Sequence, residues 1–169
     1  MKKADYVRLI VLIGIVAFLI LSYPSFEPMP EITAEAAAIV MTIYFGITPI
    51  VHENHIFLDM HNMIYPMTVS PECSGVTIVV LFIIVIFLIP GISLKHRLYS
   101  FFFIIPLYLA NVLRIVSSVI VGDNTNIETL TWYHGTIGQL FIFLAMIVIF
   151  AIFLKIFGYF GKYQPVQAS

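Results

Sequence analysis

The chain has 169 residues, 61% hydrophobic and 10% charged, with a mean hydropathy of +1.05. A soluble domain of this size needs a charged shell that these residues cannot supply, so lipid is the expected solvent. The formal charge of -1, with few and scattered basic residues, excludes a nucleic-acid surface; a single cysteine, Cys73, excludes an internal disulfide, a CxxC redox pair and a Cys-based zinc cage.

A helix that crosses the bilayer core needs about 20 apolar residues. The first run that qualifies is 6–23. Lys2, Lys3 and Arg8 flank it and place the N-terminus in the cytoplasm. It is long and lacks a small-residue cleavage site, so it is expected to remain as an anchor. The next stretch, EITAEAAAIVMTIYFGITPI (31–50), carries Glu31 and Glu35 and is expected to lie on the outer interface as a helix. Residues 51–72, VHENHIFLDMHNMIYPMTVSPE, place short β-branched and aromatic runs on either side of Met60-His61-Asn62 and predict a β-hairpin. Pro66 confines its second strand to an edge. Three further apolar runs follow, 74–92, 98–121 and 136–157, and the tail GKYQPVQAS reads as disordered.

Charge decides the doubtful stretch. With 31–50 outside, Lys2, Lys3, Arg8, Lys95, Arg97, Lys155 and Lys162 all fall on the cytoplasmic side. Were it to cross, Lys95 and Arg97 would move outside. Glu27, Glu31, Glu35, Glu53, Asp59, Glu72, Asp123 and Glu128 fall in outer segments, leaving Asp5 inside. The expected fold is an all-α polytopic membrane protein, a single membrane domain over 1–169. It has about four transmembrane helices, an interfacial helix at about 31–50, a short outer hairpin at about 51–72, and cytoplasmic termini.

Three residues could carry chemistry. Arg114, in LYLANVLRIVSSVIVG, lies about seven residues before the outer end of its run, roughly 10 Å below the surface at 1.5 Å per residue. A charge at that depth needs a partner or a wet cavity. Snorkelling to the headgroups is the alternative, but Asn111 and Ser118 share its face at spacings of three and four, which favours an inward polar stripe. Cys73 stands at the start of the next apolar run, where free backbone N–H groups and the positive helix end favour a thiolate. Gly75 leaves room there for a substrate backbone. Glu72 opposes activation, so a nearby cation is required to offset it. An inert packed thiol and a palmitoylated one are the alternatives, the latter disfavoured because Cys73 is placed outside. His134, in TWYHGTIGQL, falls at a similar outer level, and Gly135 and Gly138 beside it permit close helix packing. His52, His55 and His61 cluster with Glu53 and Asp59, but HENH is one residue short of the spacing that aims two imidazoles at one metal.

The stretches PECSGV, NVLRI and YHGTIG, with the preceding GITPIVHENHIFL, span roughly 35–157 and resemble the archaeosortase/exosortase family of transpeptidase-like membrane proteases. Many members carry extra N-terminal membrane helices, and some archaeal relatives have a second arginine where this chain has His134. The resemblance implies a thiol protease or transpeptidase of the cell membrane, acting at the extracytoplasmic face on exported proteins with a C-terminal tripartite sorting signal: a short motif, a hydrophobic helix and a basic end. In that reading Cys73 attacks the peptide carbonyl. Arg114 stabilises the thiolate and the oxyanion, and His134 carries the proton to the leaving amine. A lipid or other amine then resolves the thioester, with water as the simpler alternative. No cofactor or metal enters this chemistry. The rival readings are a non-catalytic membrane module in which Cys73, Arg114 and His134 form a structural polar cluster, and a metal-binding membrane protein using His52 and His55.

Overall fold

The computed structural model describes residue 14 and residues 28–60, 63–89 and 92–157. Apart from residue 14, the expected first crossing, 6–23, lies outside the described residues, as do the tail 161–169 and the cations Lys2, Lys3, Arg8 and Lys162.

Helix α1 (Pro28–Val40) opens on prolines, whose fixed φ suits a first turn, and is prolonged by a π-helical turn, Met41–Phe45. Gly46, at φ 68, ends it in the left-handed region. The expected helix over 31–50 is therefore displaced: it begins earlier and stops before Pro49, and Ile50 already belongs to a strand. Strands β1 (Ile50–His52), β2 (His55–Met60) and β3 (Met63–Thr68) form one antiparallel sheet in the order β1-β2-β3. The expected hairpin is its β2–β3 half, and β1 is an addition too short to show alternation. β3 lies at an edge, where Pro66 sits opposite Phe57 without costing a ladder bond to a further strand. HENH forms the β1–β2 turn, with Glu53 at φ 54 and His52 opposite His55.

Helix α2 (Val76–Leu88) follows, then α3 (Leu94–Leu98), which passes through a 3₁₀ turn, Tyr99–Phe103, into α4 (Ile104–Asp123). Helix α5 (Ile127–Trp132) passes through a π-helical turn, Tyr133–Ile137, into α6 (Gly138–Ile156). The continuous rods Leu94–Asp123 and Ile127–Ile156, 30 residues each, are long and apolar enough to cross a membrane. α2, at 13 residues, rises only about 20 Å against a hydrocarbon core of about 30 Å. Two of the four expected crossings are thus long helices, one is shorter than a span, and the first, apart from residue 14, lies outside the described residues. Both rods start before their apolar runs because polar caps start them. Ser93 accepts from the His96 N–H at 3.4 Å, and Asn126 from the Thr129 N–H at 2.8 Å.

Two cores hold these elements. In the first, Ile56, Leu58 and Met60 alternate inward from β2 and pack with Ala34 and Ala37 of α1, Val112, Ile115 and Val119 of α4, and Leu130 of α5. The second joins α2, α4 and α6 through Phe82, Ile86, Leu107, Ile142 and Phe153. Around it, Leu109, Leu113, Leu140, Phe143, Leu144, Ile147 and Val148 are exposed, an apolar belt that water would not tolerate and lipid would. Arg97, expected as a loop charge, is instead buried against the C-terminal end of α2. Its guanidinium donates to the carbonyls of Phe87 (2.7 Å) and Ile89 (2.9 Å), which the end of α2 leaves without intrahelical partners, and to that of Ile92 (3.2 Å) in the link beyond.

Candidate active site

Cys73 sits in the turn between β3 and α2, and three elements pin its backbone. Within the turn, the N–H groups of Cys73 and Ser74 both donate to Ser70 O at 2.9 Å, and Ser74 Oγ donates to Pro71 O at 2.6 Å. From α1, Thr33 Oγ1 donates to Ser74 O at 3.1 Å. From α4, Asn111 Nδ2 donates to the carbonyl of Cys73 itself at 2.8 Å. Gly75 caps α2 at φ 86, and a Cβ there would stand 2.9 Å from Asn111 Nδ2. The space expected for a substrate is occupied by Asn111, and the Cys73 N–H, expected to be free, is committed to Ser70.

The other two singled-out residues come from the two long rods. His134 is the second residue of the π-helical turn of the second rod, well inside the rod rather than at the expected helix start. Its Nε2 lies 3.5 Å from Cys73 Sγ across 61 residues of sequence, and its Nδ1 lies 3.3 Å from Ser118 Oγ on α4. Ser118 is fully buried and also donates to Arg114 O at 2.8 Å. Arg114, one turn earlier on α4, is 5% exposed, and its Nε and Nη2 are buried with no hydrogen-bond partner among the described residues. Buried donors of a charged group are among the costliest to leave unmet, and these two could serve an acceptor brought to them. Its stem passes Gly138 of α6, where a Cβ would stand 3.0 Å from Arg114 Cγ.

Electrostatics favour the thiolate. The half-buried Cys73 thiol is pushed down to about 6, first by its hydrogen bond with His134. Burial opposes this, Ser70 adds to it, and the charges of His134 and Arg114 contribute least. Here the thiolate depends on His134 more than on Arg114, a different balance from the one the resemblance implies. Glu72 is exposed, its carboxyl held below the ordinary value chiefly by Ser70, and it is not among the groups that shift Cys73.

An apolar groove of about 340 Å³ is lined by Gly75, by Val76, Val79 and Ile83 of α2, by Ile104 of α4 and by Ile32 of α1. At the sheet, no group of three or more His, Cys, Asp or Glu side chains among the described residues could hold a metal ion; His61 lies outside them. His55 Nδ1 instead pairs with Thr68 Oγ1 at 3.0 Å. Asn111 and Ser118 were visible in the sequence only as neighbours of Arg114 on one helix face. Thr33 carries a weaker signal, a hydroxyl on the alanine face of α1.

The family model described as transmembrane exosortase (Exosortase_EpsH) matches residues 4–151. No curated protein and no solved structure matches the chain significantly.

Proposed function

The chain belongs to the transmembrane exosortase family, and from that premise we propose that it is a membrane cysteine protease or transpeptidase that cleaves the C-terminal sorting tails of exported proteins. The observation that carries this reading is the contact between Cys73 Sγ and His134 Nε2 at 3.5 Å. A thiol beside an imidazole can exchange its proton and become the nucleophile.

The thiolate of Cys73 attacks the scissile carbonyl carbon while its proton rests on His134. Arg114 Nε and Nη2 donate to the carbonyl oxygen as it becomes negative, the role their unmet donors suit. The C–N bond breaks, the departing amine takes the proton from His134, and a thioester remains on Cys73. An incoming amine, such as that of a lipid headgroup, or a water molecule then gives a proton to His134. It attacks the thioester, breaks the C–S bond and returns Cys73 to its starting state. The apolar groove, whose lining includes Gly75, two residues from the nucleophile in sequence, suits the hydrophobic part of a tail. The unmet donors also weigh against a purely structural polar cluster, whose members would satisfy one another.

The topology proposed with this chemistry has four crossings, cytoplasmic termini, and α1, the sheet and Cys73 on the extracytoplasmic side. It is supported by the cation distribution and by the lipid-suited belt around α4 and α6. Processing of a co-expressed exported protein carrying a matching tail tests the activity: Cys73→Ala abolishes cleavage, and full processing by that variant ends the reading. Labelling of Asp59→Cys in a Cys73→Ser background tests the topology, because Asp59 is exposed on β2. Reaction only from the cytoplasmic side would overturn it.

A further inference from the structure

We propose that Ser118 is a positioning residue that fixes which nitrogen of His134 faces the nucleophile; the proposal rests on the reading of Cys73 and His134 given above. A serine hydroxyl has one proton to donate and two lone pairs to accept with. Ser118 Oγ lies 2.8 Å from Arg114 O, a carbonyl that can only accept, so the proton of Ser118 is committed there. Toward His134 Nδ1, at 3.3 Å, Ser118 can therefore only accept, and Nδ1 must carry the hydrogen. A neutral imidazole protonated on Nδ1 presents the lone pair of Nε2, the atom 3.5 Å from Cys73 Sγ. After the thiol proton moves to Nε2, both nitrogens carry hydrogen and Ser118 still accepts from Nδ1. One hydroxyl thus serves the imidazole on both sides of the proton transfer, the task an orienting partner performs for a catalytic histidine.

A serine that donates back to the carbonyl one turn earlier is ordinary in helices, and α4 supplies its own control. Ser117 Oγ donates to the same Arg114 carbonyl at 2.9 Å, yet it makes no hydrogen bond to a histidine among the described residues. Removing either hydroxyl removes a bond to Arg114 O; only Ser118 would alter His134.

The test is the pH profile of Cys73 alkylation by iodoacetamide in membranes. It compares wild type, Ser117→Ala, Ser118→Ala, His134→Ala and the Ser118→Ala/His134→Ala double variant. Ser118→Ala is expected to slow alkylation near neutral pH about threefold to tenfold, the worth of one hydrogen bond, and to move the profile upward. Ser117→Ala is expected to match wild type. In the His134→Ala background, Ser118→Ala is expected to add nothing, because its effect passes through the imidazole. A wild-type profile for Ser118→Ala beside a shifted His134→Ala profile overturns this proposal and leaves the reading of His134 standing. An equal effect of Ser118→Ala with and without His134 also overturns it. An unshifted His134→Ala profile overturns the reading of the pair and this proposal together.

Discussion

Arg114 crosses Gly138 so closely that a methyl group on the glycine would stand 3.0 Å from Arg114 Cγ and 3.2 Å from its Cδ. Alanine at 138 improves helix propensity by about 1 kcal/mol, so the fold should survive the change. The arginine stem must give way, and its two open donors move with it. Tail cleavage by Gly138→Ala is expected to fall on the order of tenfold or more, with thermal stability in detergent unchanged or raised. Gly135→Ala meets nothing within 4 Å and should cleave as wild type does. Wild-type cleavage by Gly138→Ala would show that the placement of Arg114 does not matter.

Replacing Arg114 by lysine should be nearly as damaging as replacing it by alanine. The planar fork offers Nε and Nη2 together, whereas an ammonium on a flexible stem offers a point charge. Loss of an oxyanion donor typically costs about 10²–10³ in turnover, and processing assays of both variants should fall in that range. Near-complete rescue by lysine would reduce the residue to its charge.

The thiol of Cys73 should titrate near pH 6. Its value is lowered, so the reactive thiolate is present above that pH and is lost as the pH falls through it. His134→Ala removes the largest cause and should move the midpoint up toward the ordinary thiol range of about 8.5. Arg114→Ala, which removes a minor contribution, should move it less. Iodoacetamide rates across pH 5–9 measure both shifts. The opposite order would mean that Arg114, not His134, sets the nucleophile.

Arg97 binds three carbonyls at and just beyond the far end of the helix that Cys73 precedes. Arg97→Met removes those donors and leaves the carbonyls of Phe87, Ile89 and Ile92 without this partner. A loss of about 2–4 kcal/mol is expected, read as a lower midpoint of thermal unfolding. An unchanged midpoint would mean that other groups or water replace the guanidinium at no cost.

Arg114 stands out in the sequence because a charge within an apolar run is expensive and therefore rare, Cys73 because it is the single thiol and borders such a run, and His134 because it falls at the same outer level. Their partners do not stand out. Asn111 and Ser118 are legible as a stripe on one helix face, since that follows from the 3.6-residue period. That Asn111 reaches back to the Cys73 carbonyl, and Ser118 across to His134, depends on how α4 meets the turn before α2 and the second rod. Gly75 could be read as a gap but not as a positive-φ cap facing Asn111. Arg97 fails as a loop charge for a related reason. Local sequence shows three basic neighbours, Lys95, His96 and Arg97, and only the packing of α3 against the end of α2 selects which one turns inward. The helix starts at Ser93 and Asn126 were legible in principle, because both are cap residues, but apolar runs drew the boundary later.

The π-helical turn at Tyr133–Ile137 holds one more residue than an α-helical turn would, and His134 is part of it. Chain length at this point is therefore a functional variable in its own right. Deleting Thr136 would let regular hydrogen bonding run unbroken from α5 into α6; the two halves of the rod would keep nearly their relative rotation, because four α-helical residues sweep about the same angle as the five of the π turn, but the widened turn that carries His134 would be lost. The imidazole would leave the thiol although every side chain of the site was still encoded. Such a deletion variant should insert and fold, yet its Cys73 should alkylate like an unassisted thiol. A single-residue gap here is thus a change to the proposed site that no point substitution mimics.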